Sequence, residues 1–182
     1  MGGSLGGQLA MQAWLHRPRD FGGLALIAAT PCFIARKHWP HGADGGLLEA
    51  MVLDLAGGPE AVVQRFVALE IHGGANARDE LRRLRQLALR HGMPGRNALL
   101  AGLNHLADTD LSGRLGPIDT PVLLLAGERN ELVPIAALET IDRALPDRRL
   151  VRMPGAAHAP FLTGPGVVAG ALRSFVAESA HA

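Results

Sequence analysis

Apolar residues fall along this chain in two rhythms, and the switch between them marks its organisation. Leu24-Ala25-Leu26-Ile27-Ala28-Ala29 and Val122-Leu123-Leu124-Leu125-Ala126 are unbroken apolar runs of strand length. That pattern predicts strands covered on both faces of a parallel sheet. Arg149-Leu150-Val151-Arg152-Met153 reads as a third strand. Helical spacing predicts a helix over Leu5 to His16, with Leu9, Ala10, Ala13 and Trp14 as its buried stripe and Pro18 as its stop. Ile135 to Leu145, entered through Pro134, and Pro165 to Glu178 read as two more helices. Strand and helix alternate with short loops, the signature of βαβ units.

From about Gly46 to Leu106 the rhythm is helical throughout, broken at Gly57-Gly58-Pro59, Gly73-Gly74 and Gly92-Met93-Pro94. No strand-like run interrupts it, so about four short helices are expected there. The fold class is therefore α/β, a mostly parallel sheet with a helical insertion. The sheet core is assigned to residues 1–32 and 116–182, and the helical cap to residues 33–115.

Composition narrows this picture only slightly. The chain has 182 residues, 48% of them apolar, enough to form a core, and a formal net charge of +1 gives no argument for nucleic-acid or membrane binding. No apolar run approaches membrane-spanning length, and no basic-then-apolar leader opens the chain. The single cysteine, Cys32, cannot form an internal disulfide and fits a reducing cytoplasm, as it would equally fit a periplasmic protein without disulfides. It is read as a packed residue, because no base is placed to activate it. His38, His41, His72, His91 and His105 lack metal-ligand spacing, so neither metal nor cofactor is expected.

The chemistry concentrates in three short segments. Gly2-Gly3-Ser4-Leu5-Gly6 fits G-x-S-x-G directly before a helix. That turn projects a serine hydroxyl from the end of a strand, and small neighbours are required because the chain passes close to itself. The amide of Leu5, at the helix N-terminus, is then placed to donate to an oxyanion. A glycine-rich tail or a phosphate-binding turn is the competing reading. Gly155-Ala156-Ala157-His158 follows the third strand, where this kind of fold delivers its general base; a plain surface histidine is the alternative. Gly127-Glu128-Arg129-Asn130 follows the second strand, where the third member of a triad belongs. An amide, Asn130, stands where a carboxylate is expected, and it orients an imidazole without supplying charge. Glu128 or Glu131 would have to reach His158 from a rearranged loop.

Several segments together resemble a specific family. Ser4-Leu5-Gly6-Gly7, Thr30-Pro31-Cys32-Phe33, Arg65-Phe66-x-Ala68-Leu69 and Ala156-Ala157-His158-Ala159-Pro160-Phe161 are similar to the pimeloyl-[acyl-carrier-protein] methyl ester esterases of biotin synthesis, within the α/β-hydrolases. The resemblance implies Ser4 as nucleophile, His158 as base, Asn130 at the acid position and Leu5 as an oxyanion donor. It implies that Phe66 packs on the acyl chain, and that Arg65, Arg78 and Arg82 contact the phosphopantetheine and an acidic acyl carrier protein. A further arginine of that patch is Ala61 here. Spacing alone puts Arg78, Arg82 and Arg85 on one helix face, which also fits a solvated face paired with Asp79 and Glu80.

The match begins at the turn itself, whereas the family carries several strands and helices before its nucleophile. The chain is accordingly read as a fragment or a shortened gene model. The implied activity is hydrolysis of the pimeloyl-carrier-protein methyl ester. A general short-chain carboxylesterase or lactonase, or an inactive remnant, are the alternatives.

Overall fold

A computed structural model describes residues 1–179; the last three positions of the 116–182 segment lie outside the described residues. Four strands form one parallel sheet in chain order: β1 (Gly2–Gly3), β2 (Leu24–Ile27), β3 (Val122–Gly127) and β4 (Arg148–Met153). The registers pair Gly2 with Leu26, Leu26 with Leu124, and Leu124 with Leu150. Between the strands lie α1 (Leu5–His16), then α2 (Gly45–Asp54), α3 (Pro59–Ile71), α4 (Ala77–Ala88) and α5 (Arg96–Asp108), then α6 (Ile135–Ala144). A short α7 (Pro160–Thr163) and α8 (Pro165–Ser179) follow β4. The α/β class and the four inserted helices are as the apolar rhythm predicts.

Alternating strand residues build a core on each face of the sheet. Leu24, Leu26, Leu124 and Ala126 pack with Met11 and Trp14 of α1 and Ala137, Leu138 and Ile141 of α6. Ala25, Leu123 and Leu125 pack on the other face with Val168, Ala171 and Phe175 of α8. The inserted helices have their own apolar cluster around Met51, Leu55, Val62 and Leu103, and it takes in Leu5 from the turn after β1 and Leu132 from the loop after β3. Those two contacts seat the insertion over the C-terminal ends of the strands.

The strand expected before the serine turn is β1, whose Gly2-Gly3 backbone completes a ladder with β2. Two local expectations differ from the structure. Strand β2 stops at Ile27 although Ala28 and Ala29 continue the apolar run, because Ala28 turns into the left-handed region at φ 47°. The buried stripe of α1 is Gly7, Gln8, Met11 and Trp14, whereas Leu9 is 48% exposed. Helix phase is fixed by the close approach of Gly7 to Ala29, where a side chain would collide; Leu9 then turns outward.

Candidate active site

Ser4 stands between β1 and α1 at φ 48° and ψ −121°, a conformation most side chains avoid. The surrounding sequence makes it affordable in steric terms. A side chain at Gly2 would run into the Gly6 carbonyl, so only glycine permits the chain to fold back this tightly. Two backbone hydrogen bonds hold the turn, from Ser4 N–H to the Ile27 carbonyl at 3.0 Å and from Gly7 N–H to the Ser4 carbonyl at 2.9 Å. The Ser4 hydroxyl caps no helix amide. Leu5 opens α1, and its N–H is among the amides that the helix leaves without an internal acceptor.

His158 is buried, on the loop between β4 and α7. Its backbone N–H donates to the Glu70 carbonyl at 2.9 Å, tying the loop to the end of α3. Its Nδ1 is 3.1 Å from Asn130 Oδ1, and the same oxygen accepts the backbone N–H groups of Leu132 and Val133, each at 3.1 Å. Those two amides fix which end of the Asn130 side chain faces the ring. An oxygen there only accepts, so Nδ1 carries the ring proton and Nε2 is left with its lone pair. Nε2 is buried with no hydrogen-bond partner among the described residues. Burial also pushes the ring down to about 4, so it is neutral near neutral pH.

Ser4 and His158 line one cavity of about 350 Å³, together with Glu70, Leu84, Ala88 and Phe161. An adjoining apolar cavity of about 430 Å³ is lined by Ser4, Leu5, Phe66 and Glu70, with Val62, Val67, Leu99 and Leu103 among its walls. Ser4, Leu5, Phe66 and His158 therefore share one region, and Asn130 reaches it through the imidazole. Chemically, a neutral imidazole of this tautomer accepts a hydroxyl proton, and the apolar chamber accommodates a hydrocarbon chain.

The arginines stand apart from that region. Arg65 is paired with Asp54 of α2. Arg78 and Arg82 are exposed on α4, with Arg82 3.3 Å from Asp79. Glu80, grouped with Asp79 on the solvated-face reading, is instead buried and accepts the Thr163 hydroxyl at 2.7 Å. Glu131 is exposed and 2.9 Å from His72, and Glu128 is exposed, so neither meets His158.

Sequence reasoning missed Glu70. Burial raises its carboxyl to about 7, and neither a cation nor a hydrogen bond offsets that rise. A single acid in the helical segment Phe66-Val67-Ala68-Leu69-Glu70-Ile71 carries no signal that separates a cavity residue from a solvated one.

The α/β hydrolase fold family matches residues 1–165 of the chain. The pimeloyl-[acyl-carrier protein] methyl ester esterase of Stenotrophomonas maltophilia (strain K279a) is 40% identical over 176 residues, covering 97% of this chain and 68% of that protein. The enzyme of the same name from Xylella fastidiosa (strain M23) is 37% identical over 179 residues, covering 97% of this chain and 70% of its own length. Among solved structures, an esterase from Exiguobacterium antarcticum superposes with a TM-score of 0.84 at 20% identity, covering 96% of this chain and 65% of that one. A thermophilic esterase from Thermogutta terrifontis gives 0.76 at 21% identity, covering 98% and 64%. The chain thus spans about two thirds of the length of these relatives. In fold and in sequence it belongs to the α/β hydrolases, and within them to the family of pimeloyl-[acyl-carrier protein] methyl ester esterases.

Proposed function

We propose that the chain supplies the serine esterase chemistry that removes the methyl group from a pimeloyl-[acyl-carrier protein] methyl ester, in the cytoplasm, for biotin synthesis. The observation that carries this reading is the pairing of a strained serine turn with an imidazole whose Nδ1 is tied to Asn130 and whose Nε2 is free, both on one cavity. Ser4 Oγ attacks the ester carbonyl while His158 Nε2 takes its proton. The tetrahedral centre collapses, the bond to the methoxy oxygen breaks, and the proton leaves with methanol. Water then attacks the acyl-serine, His158 takes one of its protons, and that proton returns to Ser4 as the free acid departs and loses its own proton to solvent. The Leu5 amide stabilises the oxyanion.

Residues 33–115 act as a cap in this scheme. Phe66 packs against the acyl chain in the apolar chamber, and the basic face of α4 with Arg78 and Arg82 faces the acidic carrier protein. Arg65, paired with Asp54, is a further contact for the carrier protein and its phosphopantetheine.

The decisive measurement is labelling by a fluorophosphonate probe, followed by turnover of the methyl-ester carrier-protein substrate beside short p-nitrophenyl esters. Labelling of Ser4 that disappears in Ser4→Ala, with preference for the carrier-protein substrate, is expected. Equal or better turnover of the short esters identifies a general carboxylesterase instead. Asn130 favours a second reading, a chain that folds but does not turn over, and absence of any Ser4 label establishes it.

A further inference from the structure

Two features of the site are unexplained separately and fit each other. Asn130 orients His158 but brings no charge, so the imidazolium formed during the reaction has no anion beside it on that side. Glu70 lines both cavities with Ser4, holds the His158 backbone through its own carbonyl, and is partly withdrawn from solvent with its carboxyl raised by desolvation alone. A carboxyl partly removed from water and beside the reacting groups costs some stability, so its presence there calls for a use. Among the described residues the other elements around it offer no charge: α4 and α5 present apolar residues, the turn after β1 presents Gly3 and Ser4, β2 presents Ile27, and His158 is the other titratable lining residue.

We propose that Glu70 is the anionic partner of the His158 imidazolium, standing in for the carboxylate that Asn130 replaces. This rests on the esterase reading above. The proton that Ser4 gives up arrives on His158 Nε2, and the positive ring forms in a cavity that already holds the Glu70 carboxylate. Attraction between charges facing a partly desolvated cavity is stronger than in water. Glu70 touches no reacting atom in this scheme and acts through His158, as a positioning residue. Because its carboxyl is held up at about 7, the anion is present above neutrality and absent below it.

The test follows the rate of Ser4 labelling by a fluorophosphonate against pH, in the full chain. In that reaction the Ser4 oxygen–phosphorus bond forms, fluoride leaves, and His158 accepts the serine proton. Four proteins are compared: the natural chain, Glu70→Gln, Asn130→Asp and the double variant. The natural chain is expected to show a rate that rises through about pH 7 with Glu70 ionisation. Glu70→Gln should lose that limb and label about tenfold or more slowly, the equivalent of at least one unit in the basicity of the ring. In the Asn130→Asp background the same Glu70→Gln change should cost less than about twofold, because the anion has returned to its usual place.

A Glu70→Gln variant as fast as the natural chain, or faster, overturns the proposal. So does an equal loss in both backgrounds, which marks a merely structural role. A natural chain without the limb near pH 7 overturns it independently of how any variant folds. A natural chain that never labels sinks the esterase reading and this proposal together, whereas labelling with an unmoved Glu70→Gln sinks this proposal alone.

Discussion

An amide in the place of an acid changes less at His158 than the exchange suggests. Two backbone N–H groups pin Asn130 Oδ1 toward the ring, so the imidazole keeps the tautomer a general base needs, and the loss is confined to charge. Glu70 carries its own stability signature. Its carboxyl sits at about 7 in the fold against 4.5 ordinarily, so the stability it permits is full below about pH 4.5 and is lost as pH rises through 7. Glu70→Gln should therefore raise unfolding stability near pH 9, by on the order of 2 kcal/mol, and leave it nearly unchanged near pH 4, as measured by urea titration. His158 works the other way: held at about 4 against 6.5, it contributes stability that is present above 6.5 and lost as pH falls through 4. Ser4, His158 and Asn130 were legible because each lies in a short loop whose residue types follow from local geometry. Glu70 was not, because the cavity that surrounds it exists only once α4 and α5 have folded against α3.

At the scale of elements, close backbone approaches decide where functional groups stand. Strand β3 ends at Gly127, and a side chain there would strike the carbonyls of Ala156 and Ala157 on the loop that bears His158. Gly127→Ala should push that loop away from Asn130, costing about 2 kcal/mol in chemical denaturation. Ser4 labelling should slow by about a hundredfold, the order expected of an ångström-scale misplacement. Strand and helix existence were readable from the two apolar rhythms, down to α6, entered through Pro134, and α1, stopped before Pro18. Phase and ends were not: Leu9 was assigned inward and lies outward, and β2 stops at a backbone reversal that its apolar residues do not announce. Both outcomes are set by contacts between segments distant in sequence, which periodicity does not encode.

Across the whole molecule, the proposed docking of a carrier protein on α4 and the proposed chemistry at Ser4 make separate predictions. Arg78→Glu with Arg82→Glu should raise KM for a carrier-protein substrate about tenfold at low salt, with kcat unchanged and short p-nitrophenyl esters unaffected. An equal effect on the short esters places the damage in the site and not on the docking face. The hydrogen bond from His158 N–H to the Glu70 carbonyl has a wider meaning in this light. Helix α3, which lines the apolar cavity through Val63, Phe66 and Val67, also anchors the loop that carries His158, and Ala75 N–H on the Gly155 carbonyl repeats the tie nearby. Any displacement of α3 would therefore carry the His158 loop with it, so the position of the imidazole depends on how the inserted helices sit over the sheet.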